Sequence, residues 1–151
     1  MTYLSSETIA TNDARLLNAV YQYAGGVKRL WTTHTVKQSW TGDTEARSAV
    51  RWYEIDVDEN KVEQQNTFGA KGQYYFFPAI QVDINRDAYI VFGRSGENAF
   101  PELRQTGRRF DGKLNDLENS KLVAGGTSAN FSQRWGDYFG ICRDPRDGDS
   151  I

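Results

Sequence analysis

A hairpin pattern that recurs about every 60 residues constrains the fold of this chain more than any other feature. In each copy a run of alternating apolar and polar residues leads into a turn, which is typical of a β-hairpin. The copies begin at Asn18, Pro78 and Gly136, so their starts are 60 and 58 residues apart (78 − 18 and 136 − 78). Recurrence at a fixed period of this size predicts repeated supersecondary units rather than one irregular fold.

A second hairpin fits into each interval between these copies. In the first interval it is AVRWYEIDV, a turn at 58–60, and KVEQQNTF. In the second it is ELRQTGRRFD, a polar loop over 112–119, and SKLVAGGT. Each unit therefore offers four strands, as a β-propeller blade does.

These patterns predict an all-β chain that forms part of a β-propeller. We expect a first blade at about 14–69, a second at about 74–127 and the start of a third at about 134–151. A propeller closes with about four to eight blades, so we expect a single segment that is truncated at both ends, with the remaining blades in the same parent chain. The alternative is a small β-sandwich or meander, because regularly spaced strands suit those folds too.

Composition excludes several classes of function. The chain is 38% hydrophobic and 25% charged, so it can bury a core, and its net charge of −2 gives no reason to expect nucleic acid as a partner. No apolar run is long enough to span a membrane. The one cysteine, Cys142, excludes an internal disulfide and a zinc site of several thiolates, and its alternating surroundings predict a buried structural thiol.

Several strings resemble a group of bacterial propellers that are classed as sialidase-like or BNR-like. RWGDYFGICRDPRDGD (134–149) is the most specific of them, and the others are RLLNAVY, LWTTHTV, AVRWYEID, YYFFPAIQVD, FGRSG and GRRFD. The resemblance implies a propeller fold and an exported, extracytoplasmic protein, although no signal-peptide pattern is visible. The Asp-box turns of true sialidases are absent, as is the full catalytic set of an arginine trio, a Tyr–Glu pair and an acid/base.

In a propeller, the ligand face is formed by the loops that enter the innermost strand and by those that join the second and third strands. Here those loops are 6–15, 37–47, 69–76, 93–102 and 128–137. Arginine forks bind carboxylates or phosphates at two points, and exposed aromatic rings stack on sugars. The candidate ligand-binding residues on these loops are Asp13, Arg15, Trp40, Arg47, Tyr75, Arg94, Arg134 and Asp137.

A structural role competes with the ligand-binding role at several positions. Arg94 and Arg134 could instead pair with Asp111 or Asp137 and lock neighbouring blades together. We expect Trp40 to be exposed, whereas the patterns predict core positions for the other three tryptophans, Trp31, Trp52 and Trp135.

Neither a metal nor a cofactor site is predicted. The acidic cluster Asp144, Asp147 and Asp149 lacks the spacing of an EF-hand loop and is better explained as a tight turn. The single histidine, His34, has no nucleophile elbow near it in sequence, so a structural or exposed role is expected.

Together these observations favour a binding or interaction module that recognises glycans or a cell-surface protein. One alternative is part of a sialidase-like glycoside hydrolase, for which Asp13 and Asp137 are the only carboxylates we can name as a catalytic pair. Another is a purely structural propeller in a large surface protein. Enzymatic activity is left open by the sequence and is the less favoured reading of this segment alone.

Overall fold

The computed structural model describes residues 9–11, 13–130 and 132–146. Within these ranges the chain is all-β, with no helix, and forms two antiparallel four-stranded sheets. Since it contains no helix, this part of the chain also has none that is long and apolar enough to cross a membrane. The first sheet consists of β1 (Asn18–Ala24), β2 (Val27–Gln38), β3 (Arg47–Asp56) and β4 (Lys61–Phe68). The second consists of β5 (Gln73–Val82), β6 (Ala88–Gly96), β7 (Ala99–Arg108) and β8 (Lys121–Ala124).

Both sheets are simple meanders, in which each strand pairs with the next one along the chain. The predicted hairpin from Asn18 turns at Gly25 and Gly26, whose φ angles of 58° and 80° suit a type I′ turn. The hairpin expected around 58–60 also forms, and so does the hairpin predicted from Pro78, which turns between β5 and β6. The pattern after Gly112 ends in the short strand β8. The sequence pattern therefore predicts all eight strands in their order.

The hydrophobic core lies between the two sheets. On the first sheet it contains Trp31 and Trp52, which are fully buried and stack with their ring centroids 6.3 Å apart. On the second sheet it contains Ile80, Ile90 and Phe92, which are also fully buried. Trp31 and Trp52 are thus core residues, as the alternation in β2 and β3 predicts.

The two sheets bury opposite faces. A two-residue type I′ turn joins β1 and β2, so Ala24 and Val27, which flank it, form a hydrogen-bonded pair. Hydrogen-bonded and non-hydrogen-bonded pairs alternate along an antiparallel hairpin, so Val20 and Trp31 also form a hydrogen-bonded pair. The side chains of that hydrogen-bonded set point into the core. On the second sheet, Ile80 and Ile90 point into the same core. Unlike Val20 and Trp31, they form a non-hydrogen-bonded pair, because the backbone N–H and C=O of Ile80 bond the Asn18 side chain.

The backbone of Ile80 bonds away from β6, across the sheet–sheet interface. Asn18 donates its side-chain N–H to the Ile80 carbonyl at 2.8 Å, and its side-chain oxygen accepts the Ile80 N–H at 3.2 Å. Side chains alternate between faces along a strand, and strand direction fixes which face carries the hydrogen-bonded pairs. The first sheet therefore faces the core with the side chains of hydrogen-bonded β1–β2 pairs, and the second sheet with those of non-hydrogen-bonded β5–β6 pairs. We call this arrangement, in which two non-equivalent faces meet, head-to-tail packing.

Strand β5 is kinked where it meets the first sheet. Phe77 has a φ of 52°, and the register with β6 shifts between Phe76 and Ala79. Pro78 is fully buried at this bulge, a position that suits a residue with no N–H to donate. The freed N–H of Phe77 donates to the Thr35 hydroxyl at 3.2 Å, so the first sheet stabilises the kink.

The outer strand β4 is covered by the loop between β7 and β8. Asn115 in that loop accepts the N–H of Gln65 at 2.9 Å, donates its own N–H to the Gln64 side chain at 3.1 Å and accepts from Asn66 at 2.6 Å. Covering an edge in this way blocks its pairing with another chain.

The strand predicted at the third hairpin start is absent from the structure. Residues 136–142 form no strand, because the N–H of Tyr138 bonds the Gly136 carbonyl at 2.6 Å in a tight turn around Asp137, whose φ is 53°. An extended strand also needs a neighbour to pair with, and none of the described strands lies beside this segment. A turn does form at 145–146, whereas Asp147 and Asp149 lie outside the described residues.

Candidate functional site

A cavity of about 390 Å³ lies where three of the predicted loops converge. Segment 9–14 forms one wall, the end of β2 and the start of β3 form a second, and Tyr74 at the start of β5 contributes to a third. The volume lies in the lower part of the range of about 300–1,000 Å³ that is typical of small-molecule sites. The lining residues are Ile9, Thr11, Asp13, Ala14, Thr35, Val36, Lys37, Ala46, Arg47, Ser48 and Tyr74.

Arg47 is the buried charge of the cavity, with 4% of its surface exposed. Its Nε lies 3.0 Å from Asp43 Oδ1, its Nη1 lies 3.5 Å from Glu45 Oε1, and the guanidinium lies 4.7 Å from the centre of the Tyr74 ring. Burial works to lower the pKa of Arg47, but Asp43, Tyr74 and Glu45 raise it on balance. The side chain is therefore a permanent cation whose charge is balanced by its neighbours.

These ion pairs leave hydrogen-bonding capacity unused. Within the described ranges, the Nε and Nη1 of Arg47 are buried without a well-directed hydrogen-bond acceptor, although carboxylates lie nearby. The Ser48 hydroxyl, on the next residue, is likewise buried without a partner there. Asp43 Oδ2, on the carboxylate paired with Arg47, is buried without a partner as well, so the unused capacity belongs to an imperfectly directed ion pair. All of these atoms are covered by the protein and do not face a molecule in the cavity.

Asp13 stands at the mouth of the cavity in a fork with Arg15. The Arg15 Nε donates to Asp13 Oδ1 at 2.8 Å and to Oδ2 at 3.0 Å, and the Arg15 backbone N–H donates to Oδ1 at 3.1 Å. These hydrogen bonds lower the pKa of Asp13. A general acid for glycoside hydrolysis needs a raised pKa, so this environment does not suit Asp13 to that role.

The aromatic wall is Tyr74, the neighbour of the predicted Tyr75. Its hydroxyl bonds Glu45, and burial is the main cause that raises its pKa, followed by that hydrogen bond. Tyr75 itself is only 4% exposed and packs edge-on against Phe68 with centroids 5.8 Å apart. The prediction of Tyr75 as an exposed stacking platform is wrong, because β5 turns that side chain into the core.

Trp40 is not the exposed ring that we predicted. Its indole packs over Gly69, where an added Cβ would lie 2.7 Å from the ring, and its Nε1 is buried. Gly69 has no side chain, so the ring can lie flat on the backbone at the end of β4. Trp40 therefore supports the loop that leads to Arg47 instead of offering a face to ligand.

The remaining predicted arginines are paired within their own part of the chain. Arg94 bonds Glu102 on the adjacent strand β7, not Asp111, because these two residues are directly opposite in the sheet. Arg134 does pair with Asp137, its Nε lying 2.8 Å from Oδ2, but the pair lies within one segment and does not link two sheets. Neither Arg94, Arg134 nor Asp137 lines the cavity.

Three further predictions can be compared with the structure. Cys142 is exposed, so its prediction as a buried thiol is wrong, because no strand forms there to bury it. His34 has a structural role, with Nδ1 2.7 Å from the Ala14 carbonyl and Nε2 3.2 Å from the Tyr53 hydroxyl. Trp135 is only half-buried, and its ring packs against Phe76 at 6.0 Å instead of lying in the core between the sheets.

One acidic cluster lies at the β3–β4 turn, formed by Asp56, Glu59 and Glu63. Its carboxylates already have partners, since Asp56 bonds Arg29 and accepts the Glu59 N–H, while Lys61 pairs with Glu59 at 3.4 Å and Glu63 at 3.0 Å. The cluster is explained by these contacts and by its turn.

Sequence reasoning found Asp13 and Arg47 but missed Ser48, Lys37 and Tyr74. Three of the five predicted loops contribute to the cavity, and strand alternation indicates that one of two adjacent tyrosines faces outward. The bulge in β5 makes the choice between them unpredictable from the pattern. Comparisons of the chain with known protein families, with curated proteins and with solved structures find no match.

Proposed function

We propose that the two sheets are successive blades of a β-propeller, and that the chain is part of an exported binding module whose ligand occupies the Arg47 cavity. The observation that carries the binding role is the open cavity of about 390 Å³ at which charged, hydroxyl and aromatic side chains from three loops meet.

The propeller arrangement is supported by the head-to-tail packing of the sheets. Blades related by rotation about one axis use two different faces for each contact, and such a heterologous contact generates a ring when the rotation closes. In a sandwich in which two similar sheets meet through equivalent faces, the core residue Ile80 would belong to a hydrogen-bonded pair with β6. The contacts of Asn18 with the Ile80 backbone indicate the opposite arrangement.

The position of the cavity also supports a binding role. It lies among the loops that enter β1, join β2 to β3 and enter β5, which is the end of a propeller where ligand sites are found. Residue types that recognise sugars meet there, namely a guanidinium, a carboxylate, a hydroxyl and an aromatic ring.

An array of neutral, acidic and sulfated glycans probed with the 151-residue chain tests the proposal. Ala46 lines the cavity and is only partly buried, so Ala46→Trp should fill the cavity. We expect this variant to lose binding to every glycan that the wild type binds. Ala124→Trp on the exposed strand β8 is the matched control and should bind normally, with circular dichroism checking both folds. A wild type that binds no glycan, or an Ala46→Trp variant that binds as well as the wild type, would overturn the binding role.

A further inference from the structure

The outer face of the first sheet, which points away from the core, carries a row of apolar side chains. Tyr21, Leu30, Ile55 and Val62 lie directly opposite one another on the four neighbouring strands. Tyr21 is 55% exposed and Val62 is 42% exposed. Tyr23, two residues along β1 and therefore on the same face, is 65% exposed. A continuous apolar surface of this kind is typical of an interface with another protein surface.

The internal contact between the two sheets shows what such a face packs against. The β1–β2 pair Tyr21–Leu30 corresponds to the β5–β6 pair Ile80–Ile90, because each pair lies three residues from the pair that flanks its turn (24 − 21 and 83 − 80). Ile80 and Ile90 are fully buried against the first sheet. The outer face of the first sheet is therefore the same kind of face as the one that the second sheet buries in the core.

The outer face of the second sheet is the matching surface. Tyr89, Gln105 and Gly107 lie on this face and line an open groove of about 370 Å³. Counted from the turns in the same way (89 − 87 and 29 − 27), Tyr89 and its partner Gly107 correspond to Arg29 and its partner Asp56. Arg29 and Asp56 are on the face that the first sheet turns towards the core. Each free face of this chain thus has the pattern of one half of the internal contact.

The internal contact also shows which ends of the two faces meet. Gln22 pairs with Arg29 in the first sheet, and its side-chain amide donates to the carbonyl of Asp83. Asp83 directly follows Val82, which is 1% exposed. The position of Val82 on one sheet therefore lies close to the position of Arg29 on the other.

The outer faces fit each other in size at these positions. Tyr23 corresponds to the smaller Val82, since each directly precedes the pair that flanks its turn. Gly107 corresponds to Asp56 and has no side chain, which leaves the groove open beside Tyr89. A larger side chain on one outer face would thus meet a hollow on the other.

We propose that the outer face of the first sheet binds the outer face of the second sheet of another copy of this chain, by the same head-to-tail packing as within one copy. Two sheets packed in this way leave one free face of each kind, so the free faces of two copies are complementary. Trp135 packs on Phe76 at the far end of the second outer face, so the contact uses the end near the turn. This inference goes beyond the proposed ligand site and does not depend on it.

Sedimentation equilibrium of the 151-residue chain tests the proposal. We expect the apparent mass to rise above the monomer mass of 17.2 kDa as the protein concentration increases. Tyr23→Lys places a charge on the first outer face and Gln105→Trp fills the groove on the second, so each variant alone should stay monomeric. Leu114→Lys is the control, because Leu114 is 64% exposed in the loop between β7 and β8 and should associate as the wild type does. Circular dichroism checks the fold of all three variants.

An equal mixture of Tyr23→Lys and Gln105→Trp tests the head-to-tail geometry directly. The intact first face of Gln105→Trp can bind the intact second face of Tyr23→Lys, so the mixture should form a dimer and nothing larger, since a heterologous contact uses two different patches. A mixture that stays monomeric, or association that either variant alone retains in full, would overturn the proposal. A wild type that remains at 17.2 kDa at every concentration would overturn it as well and would leave these faces to a sheet of another protein. None of these results bears on the Arg47 cavity, which the glycan array tests separately.

Discussion

Strand β3 carries two buried charges that differ in how completely their hydrogen bonds are satisfied. Arg47 begins the strand and Glu54 lies near its end, and each is 4% exposed. Glu54 has partners for both oxygens, since Arg29 Nε lies 3.1 Å from Oε1 and the Gln64 amide bonds Oε2. Arg86, in the turn between β5 and β6, has its Nη2 4.0 Å from Glu54 Oε1.

The buried charges at the two ends of β3 are thus stabilised in different ways. A buried charge is tolerated when it is paired and when its hydrogen-bonding capacity is used. Glu54 meets both conditions through Arg29 and Gln64 of its own sheet, with Arg86 4.0 Å away. Arg47 meets the first through Asp43 and Glu45 but not the second, because its Nε and Nη1 are buried without a well-directed acceptor.

The largest expected effect comes from removing the satisfied charge. Glu54→Ala removes the buried acceptor of Arg29 and Gln64 and the carboxylate near Arg86, although Arg29 keeps Asp56. We therefore expect a loss near the lower end of the range of about 3–5 kcal/mol for breaking a buried pair. Urea unfolding followed by circular dichroism measures the loss. Glu63→Ala, at a more exposed pair with Lys61, is the control and should change stability by less than about 1 kcal/mol. If both variants unfold at the same urea concentration, Glu54 is not the structural charge that this comparison requires.

A smaller effect should distinguish the two adjacent tyrosines by pH. Burial raises the pKa of Tyr75 above its ordinary value of 10.0. A folded-state pKa above the unfolded value stabilises the fold at lower pH, and this contribution is lost as the pH rises through the unfolded pKa towards the folded one. We therefore expect the melting temperature to fall above about pH 10. Tyr75→Phe should reduce the steepness of that fall because it removes the group that resists ionisation.

Tyr74→Phe provides the counterpart for Tyr75→Phe. Burial raises the pKa of Tyr74 too, but its hydroxyl also bonds Glu45 beside the cavity. Its removal should affect sugar binding as well as alkaline stability, whereas Tyr75→Phe should leave binding unchanged. An alkaline fall that is equally steep in the wild type and in Tyr75→Phe would mean that the Tyr75 hydroxyl does not oppose ionisation in the fold.

How far the sequence predicts this molecule can be seen from the same strands. Alternation in β2 and β3 correctly places Trp31 and Trp52 in the core, and turn residues such as Gly25 and Gly26 correctly mark the hairpins. These features are local, and period-2 patterning with turn chemistry is enough to predict them. Asp13 and Arg47 line the same cavity for a related reason, because loops between regularly ordered strands gather at predictable ends of the sheets.

The errors arise where a neighbour in space decides the outcome. Tyr75 is buried because β5 is kinked at Pro78, and that kink depends on Thr35 of the other sheet. Trp40 is covered because Gly69, distant in sequence, leaves room for its ring. The alternating pattern at 136–142 forms no strand, because such a pattern needs a pairing partner that none of the described strands provides.

The smallest expected change in the free energy of unfolding is at Ser48, and its sign is opposite to that of most substitutions of buried residues. Ser48→Ala removes a buried hydroxyl that has no partner in the described structure, so the fold loses an unsatisfied group and should be unchanged or more stable by up to about 1 kcal/mol. The matched change is Thr33→Val, which removes a buried hydroxyl that donates to the Arg51 carbonyl at 2.8 Å. That variant should lose about 0.5–1.5 kcal/mol. Opposite signs in urea unfolding would mean that the Ser48 hydroxyl is unsatisfied in the fold, whereas the Thr33 hydroxyl is not. If Ser48→Ala destabilises the fold as much as Thr33→Val does, the Ser48 hydroxyl already has a partner, and the two buried hydroxyls do not differ as this comparison requires.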